Sequence, residues 1–371
     1  MEIRIDRPQL LKSVSRVQSI IEKRSNMPIL STILLSGSGE KITVSATDLE
    51  LGYQQELAAE ILQEGSITIS GRKLFEILKE SRSDTIHIKE KENNWVFLHD
   101  GTARFNLACL SAEDYPNFME PEGVETIALD GDTLSEMISK TIYAVTVEEA
   151  GFKLSGIFTE KIAQQGNFVL RMVATDGHRL SMIDKAIDGV ERLDIGKGIM
   201  IPKKGMAELN KLASEGGVVQ LGFEKHNCVA KKEDALLVMR LIDTKFPDYQ
   251  AVIPHEGEIF IYVDRVALLE AMRKMMILSN ENYRAVKVSL ESNAMALTST
   301  NPDLGDANEI MEVEYNSDRI EVGFNARYFI DVLQAMESER VSLGFIDSSK
   351  PCILRGEADK GFLGLIMPMR I

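Results

Sequence analysis

Cysteine is sparse in this chain. The three that occur, Cys109, Cys228 and Cys352, lie far apart, are odd in number and form no C-x-x-C pair. That pattern excludes a zinc ribbon or a disulfide scaffold and predicts a reducing, cytoplasmic setting. Long apolar runs are missing too. Although 44% of residues are hydrophobic, no stretch approaches the roughly 20 residues needed to span a bilayer. The opening Met1-Glu2-Ile3-Arg4-Ile5-Asp6-Arg7 alternates charge with apolar side chains, which predicts an edge strand rather than a signal peptide. No G-x-x-x-x-G-K-[ST] loop, H-E-x-x-H, G-x-S-x-G or dinucleotide fingerprint occurs, so P-loop nucleotide binding is excluded and neither a metal nor a cofactor is expected. Positive charge is in deficit: 42 Lys and Arg stand against 57 Asp and Glu, for a net charge of −15. Taken alone, that balance argues against tight nucleic-acid binding, which depends on cations neutralising phosphates.

What the chain does have is repetition. Its 371 residues exceed what one core sustains, so two or three domains are expected. Lys41-Ile42-Thr43-Val44-Ser45-Ala46-Thr47-Asp48 reads as a strand entering a polar turn. The same pattern returns at Leu170 to Asp176 and, more loosely, at Met295 to Asn301, with Thr47, Thr175 and Thr300 at matching points. A second landmark is a strand that leads into a helix start. It occurs at Ser66 to Lys73, at Ile199 to Lys204 with Pro202 as a helix-opening proline, and at Ile320 to Arg327 with Asn325 as N-cap. A third is a strand before a proline: Arg104 to Leu107, Leu237 to Leu241 and Leu363 to Ile366 precede Pro116, Pro247 and Pro368. Three landmarks in one order at this long a period mean repeated domains rather than a solenoid. The expected domains are 1–121, 125–253 and 257–371, divided at the polar Glu120 to Gly123 and Pro254 to Gly257 stretches.

Each repeat predicts two amphipathic helices. Leu10, Val14, Val17 and Ile21 recur at helical spacing, as do Leu134, Met137, Ile138 and Thr141, and Leu269, Met272, Met275 and Met276. Short alternating strands such as Thr85 to Ile88 and Ile259 to Tyr262 lie between helices. The fold class is therefore α+β, with antiparallel sheets carrying two helices per repeat on one side. Charge is segregated on this plan. The six predicted helical segments sum to +6, so strands and loops carry −21. A helical face turned toward a polyanion, with a repelling remainder, fits that division.

Two local features invite a functional reading. In Thr175-Asp176-Gly177-His178-Arg179-Leu180, the Asp-Gly pair predicts a turn that aims His178, Arg179 and Leu180 outward. An enzymatic reading has Asp176 orient His178 as a general base, but residues two apart rarely orient one another and no nucleophile is evident nearby. The chain's last residues form the other feature. Leu363 to Ile366 is expected to be the third copy of a repeated core strand, and an apolar strip that runs on to Ile371 is either tucked into a core or offered to a partner.

The repeats, the basic helices, Ala174 to Leu180 and Met367-Pro368-Met369-Arg370 together resemble the bacterial DNA sliding clamp family, the β subunit of DNA polymerase III. Pro28-Ile29-Leu30, Thr47-Asp48-Leu49-Glu50, Phe246-Pro247-Asp248-Tyr249 and Ile277-Leu278-Ser279-Asn280 extend the match along the whole chain. The resemblance implies a processivity factor without catalysis. It also implies a head-to-tail homodimer closing six domains into a ring around double-stranded DNA, held topologically and without base reading. Arg24, Arg72, Lys73, Lys203 and Lys204 are then expected to face the duplex. Lys73, Ile77, Arg104, Phe105 and Leu107 are expected on one edge of the dimer seam, with Ile277, Leu278, Asp306 and Glu309 on the other. A pocket for short peptides from the replicative polymerase, the clamp loader and repair polymerases is implied at Leu154, Thr175, Gly177, His178, Arg179, Leu180, Pro247, Val252, Asn325, Tyr328, Leu365, Ile366, Met367, Pro368, Met369 and Arg370. Ala251, Ser349 and Pro351 depart from the family's pocket rim, which implies a shifted partner preference. An auxiliary clamp copy that binds inhibitors is the alternative within the same family.

Overall fold

The computed structural model describes residues 1–21, 26–118, 121, 123–146, 155–164, 166–254, 259–280 and 283–370. Six α-helices occur among them: α1 (Arg7–Arg16), α2 (Gly71–Glu80), α3 (Gly131–Ser139), α4 (Lys203–Ala213), α5 (Arg265–Ile277) and α6 (Ala326–Ala335). The apolar spacing sets which face of each is buried. Leu10 and Val14 of α1, Leu74 and Leu78 of α2, Leu134, Met137 and Ile138 of α3, and Met272 and Met275 of α5 are all in the core. Each such side chain contributes about 1.5–3 kcal/mol on burial.

Local bonds recur at matching points of the three repeats. Asp6 accepts from the Gln9 amide at 2.9 Å and Asp264 from the Ala267 amide at 2.7 Å, which caps α1 and α5. The first amide of α1, α3 and α5 donates in each case to the chain leaving the second helix: Arg7 to Asp84 O, Gly131 to Gly217 O, and Arg265 to Glu339 O. Arg7 and Arg265 also donate to Leu78 O and Leu333 O, closing the C-terminal turns of α2 and α6. The middle repeat solves this differently. A Cβ at Gly131 would stand 2.6 Å from Ala213 O, and Lys232 Nζ supplies the donor, 2.9 Å from Leu212 O.

The chain divides into two compact units. The first comprises Met1–Asp132, Arg192–Asp194 and Glu208–Leu241. Its 12-stranded antiparallel sheet joins the first repeat to the second where Leu51–Gln63 pairs with Ala235–Arg240, and Arg104–Ala108 is an outermost strand. The second unit comprises Thr133–Glu191, Ile195–Ala207 and Ile242–Ile371. Its eight-stranded sheet joins the second repeat to the third where Arg179–Ala186 pairs with Phe362–Ile366. A four-stranded sheet in that unit ends at Gly305–Glu312.

Three expectations are corrected. Glu2–Asp6 is not an edge strand, for it pairs with both Leu51–Gln63 and Thr85–Lys91. Alternation put Ile3 and Ile5 in the core, but it carries no information on how many neighbours the backbone has. Pro202 ends the strand Ile199–Pro202, and α4 begins at Lys203. The first helix is shorter than its apolar spacing implied: α1 stops at Arg16 and continues as a 3-10 turn over Val17–Ser19.

Candidate functional site

The Thr175 to Leu180 stretch is a turn built by its own side chains. Thr175 Oγ1 donates to Arg179 O at 2.6 Å and accepts from the Gly177 amide at 3.1 Å. Asp176 Oδ1 accepts from the His178 and Arg179 amides, each at 3.0 Å. The first repeat makes the same turn with Thr47 and Asp48. Leu49 there has φ 76° where Gly177 has φ 85°, so the second repeat avoids the left-handed strain of about 1–2 kcal/mol that Leu49 carries.

Of the three residues expected to point outward, only His178 is exposed. Its ring stacks on Tyr328 at a centroid distance of 6.4 Å. Leu180 is 3% exposed and belongs to an apolar cluster with Leu363 and Leu365. The Arg179 side chain is 10% exposed. Its guanidinium donates to Asp176 at 2.9 Å, to Asp331 at 2.7 Å and to Tyr143 O at 2.7 Å, and it lies over the rings of Tyr143 and Tyr328. The strand that follows the turn, Arg179–Ala186, is buried on both faces from Leu180 to Ile183, so only His178, which precedes it, is left exposed. Burial pulls the Arg179 pKa down, but the hydrogen bond and charge of Asp331 and the charge of Asp176 outweigh it and hold it raised. The same geometry removes the basis for an Asp176–His178 general base: Asp176 holds two backbone amides and the Arg179 guanidinium.

The end of the chain meets this turn. Phe362–Ile366 is buried throughout, while Met367, Pro368 and Met369 are half-buried and Arg370 is exposed. The Met367 amide donates to His178 O at 2.9 Å and the Met369 amide to Gly323 O at 2.8 Å. Full burial thus ends at Ile366, where the core strand was expected to stop. Below Met367 lies the cluster of Val173, Leu180, Met182, Met200, Phe246, Tyr249, Ile353, Leu363 and Leu365, flanked by Phe158, Ile242 and Ile253. Pro247 and Val252 are exposed beside it. Asn325 is occupied as the N-cap of α6, accepting from the Arg327 amide at 2.9 Å. Leu154 and Arg24 lie outside the described residues.

Several contributors escaped the sequence reading. Phe158 and Phe246 stack at 4.7 Å and 8° beneath the groove. Arg171 is held by Asp184 at 2.6 Å and donates to Tyr249 Oη at 2.9 Å, while Tyr249 donates to Glu160. Tyr143 and Asp331, which grip Arg179, are distant from it in sequence and carried no motif.

Comparison with known proteins decides the family. Family models for the DNA polymerase III beta subunit match residues 1–119 for the N-terminal domain, 128–248 for the central domain and 250–370 for the C-terminal domain. The beta sliding clamp of Caulobacter vibrioides is 34% identical over 376 residues, covering both chains completely. The chain belongs to the DNA polymerase III beta subunit family. Another sliding clamp, from Pseudomonas putida, is 32% identical over 373 residues with full coverage of both. Among solved structures, Caulobacter crescentus pol III beta superposes with TM-score 0.93 at 33% identity, and a Bartonella birtlesii sliding clamp bound to griselimycin with TM-score 0.94 at 31% identity; both cover the whole of each chain.

As a member of the clamp family the chain fits the α+β reading of three repeated domains. The remaining candidate residues stand on the helices and outermost strands. Arg72 and Lys73 are exposed on α2 and both pair with Glu76, at 2.9 and 2.8 Å. Lys204 is exposed at the start of α4. Lys203 differs from the solvated lysine expected of a DNA contact. Its Nζ donates to Val145 O at 3.1 Å, and burial, with repulsion from Arg179, lowers its pKa. Arg104 is exposed and Phe105 and Leu107 are half-buried on the outermost strand Arg104–Ala108, with Ile77 half-buried on α2. On the other outermost strand Asp306 is exposed and Glu309 receives Lys274 at 2.9 Å. Ile277 is 74% exposed at the end of α5, next to half-buried Leu278. Among the described residues no helix is long and apolar enough to cross a membrane, and no His, Cys, Asp and Glu cluster could hold a metal ion.

Proposed function

We propose that two copies of this chain close head to tail into a ring around double-stranded DNA and hold a polymerase to its template. The observation that carries this reading is a pair of unlike, unpaired strand edges. Among the described residues Arg104–Ala108 pairs with Trp95–His99 alone, and Gly305–Glu312 with Ala294–Asn301 alone. One edge offers Arg104, Phe105 and Leu107, and the other Asp306 and Glu309, with Ile277 and Leu278 at the end of α5, whose Lys274 meets Glu309. Edges of opposite charge with apolar centres suit a heterologous interface, the kind a ring requires. Duplex DNA would meet the basic ends of α2 and α4 through phosphate contacts that carry no base reading.

In this reading the protein works in the cytoplasm and performs no catalysis. The replicative polymerase, the clamp loader and repair polymerases bind by short peptides, seated where Met367 and Met369 lie beside His178 and Tyr328. Flexible thioethers over an aromatic floor suit several partners in turn. The test is retention on DNA. Protein loaded on a nicked circle should stay bound through a high-salt wash and leave after the circle is linearised; retention on the linear product would overturn topological linkage.

A further inference from the structure

The tenth residue counted from the start of α1, α3 and α5 is a cation in every case: Arg16, Lys140 and Lys274. In two cases it reaches an acid carried by the following repeat. Arg16 pairs with Glu215, just beyond α4, which also receives Lys12 at 3.3 Å. Lys140 pairs at 2.7 Å with Asp359, whose hairpin is bonded to the chain leaving α6 through the Glu337 and Ser338 amides. Both staples accompany a strand pairing that joins one repeat to the next, Leu51–Gln63 with Ala235–Arg240 and Arg179–Ala186 with Phe362–Ile366.

Lys274, in the third repeat, pairs within that repeat instead. Its side chain is 58% exposed and rests on Glu309 of its own sheet. The acid in the matching hairpin belongs to the first repeat. Asp100 follows the strand Trp95–His99, as Asp359 follows Cys352–Gly356. Asp100 is 7% exposed, and its carboxylate accepts from the Thr102 and Ala103 amides and the Thr102 hydroxyl, with the Ser81 hydroxyl also beside it and no cation among the described residues.

The two internal junctions also agree on a register. Thr175 faces Leu180, Thr47 faces Gly52 and Thr300 faces Asp306, so Leu180, Gly52 and Asp306 are equivalent. Leu180 pairs with Leu365 and Gly52 with Val238, each the fourth residue of its strand. The fourth residue of Arg104–Ala108 is Leu107. Transferred to two copies, both junctions set Asp306 opposite Leu107 and Glu309 opposite Arg104. That register brings α5 of one copy toward the hairpin of the other.

We propose that Lys274 of one copy leaves Glu309 on dimerisation and pairs with Asp100 of the second copy, a third ionic staple that closes the seam. The exchange frees Glu309 to meet Arg104 across it. The proposal rests on the head-to-tail reading and adds a residue pair to it.

Dimer dissociation of the full chain, measured by subunit exchange, provides the test with Lys274→Met, Asp100→Asn and the double variant. Each single change should weaken the dimer about tenfold, and the double variant should be no weaker than either. Additive effects, or no effect of Lys274→Met, would overturn the staple. Lys274→Glu, which alters an exposed side chain and leaves the Asp100 hairpin intact, should weaken the dimer further than Lys274→Met; equal effects count against the pair. Ile277→Asp separates the two ideas. If it leaves the dimer intact, the head-to-tail seam itself is wrong. If it dissociates the dimer while the cycle is additive, the staple alone fails.

Discussion

Lys140 Nζ lies 2.7 Å from Asp359 Oδ1, and the two side chains are 2% and 0% exposed. Lys140 also meets Glu136 at 2.7 Å, and Glu136 meets Lys185 at 2.6 Å. A buried pair of this kind stabilises little against an apolar replacement, but loss of one partner strands a charge. Lys140→Met should therefore destabilise the second unit by about 3–5 kcal/mol, and adding Asp359→Asn should recover part of it. Calorimetry on the two variants checks this. The pH dependence has two signs. Burial opposes ionisation of Asp359, but bonds from Lys140 and Ser338 outweigh it and leave its pKa below 3.8. Its contribution is present above that value and lost as pH falls through the lowered pKa. Burial also opposes the Lys140 charge, and Asp359 and Glu136 outweigh it, leaving its pKa above 10.5. That contribution is full below 10.5 and lost as pH rises through the raised pKa.

Arg179 is the second place where a single change should tell. Its three acceptors and two flanking rings match a planar guanidinium, and an ammonium cannot reproduce that fork. Arg179→Lys should destabilise by about 2–3 kcal/mol by leaving Asp331 or Tyr143 O short of a donor. Because Tyr328 stacks on both Arg179 and His178, peptide affinity should fall as well. Thermal melts and peptide titration of one preparation check both. Unchanged melting would show that Arg179 is not the structural post that its bonds indicate.

The period of the fold was legible because each repeat must bury the same helix face and end the same strand. Thr47 and Thr175 mark identical turns for that reason. Met367 was legible for a local reason, an apolar run that outlasts its strand. What sequence order hides is which distant side chains converge. Tyr143 and Asp331 hold Arg179 from separate elements, and Phe158 reaches Phe246 across a long loop of chain. Outward and inward aim at the His178 turn was misread because a turn signal gives the bend but not the face of the strand after it. Lys203 was placed toward the duplex by its position at a helix start, and nothing in sequence order shows that Val145 O lies within its reach.

The DNA contact proposed for α2 is open to titration by salt. Arg72 and Lys73 share Glu76, and those bonds hold the Glu76 carboxyl below its usual range. Each cation that contacts phosphate should contribute about one unit to the slope of log affinity against log salt. Lys73→Ala should reduce that slope by about one, and Glu76→Gln should strengthen duplex binding by freeing both cations. The measurement is duplex binding across a salt series. A slope that does not change in Lys73→Ala would remove that residue from the DNA contact.

Removal of Met367 to Ile371 gives the sharpest separation of groove from fold. The strand Phe362–Ile366 would remain, with Leu365 and Ile366 still buried and its ladder to Arg179–Ala186 intact. Lost would be the Met367 bond to His178 O, the Met369 bond to Gly323 O and the Met367 cover over the Phe246 cluster. Two methionine side chains at the centre of an interface are worth about 2 kcal/mol or more, so peptide affinity should drop at least about thirtyfold. The dimer should be unaffected, since none of these residues lies on either candidate strand edge. Anisotropy with a labelled peptide carrying Gln and a Leu/Phe pair measures the first, and sedimentation the second. Full peptide affinity after truncation would move the partner site elsewhere, whereas dissociation of the dimer would place the tail at the seam.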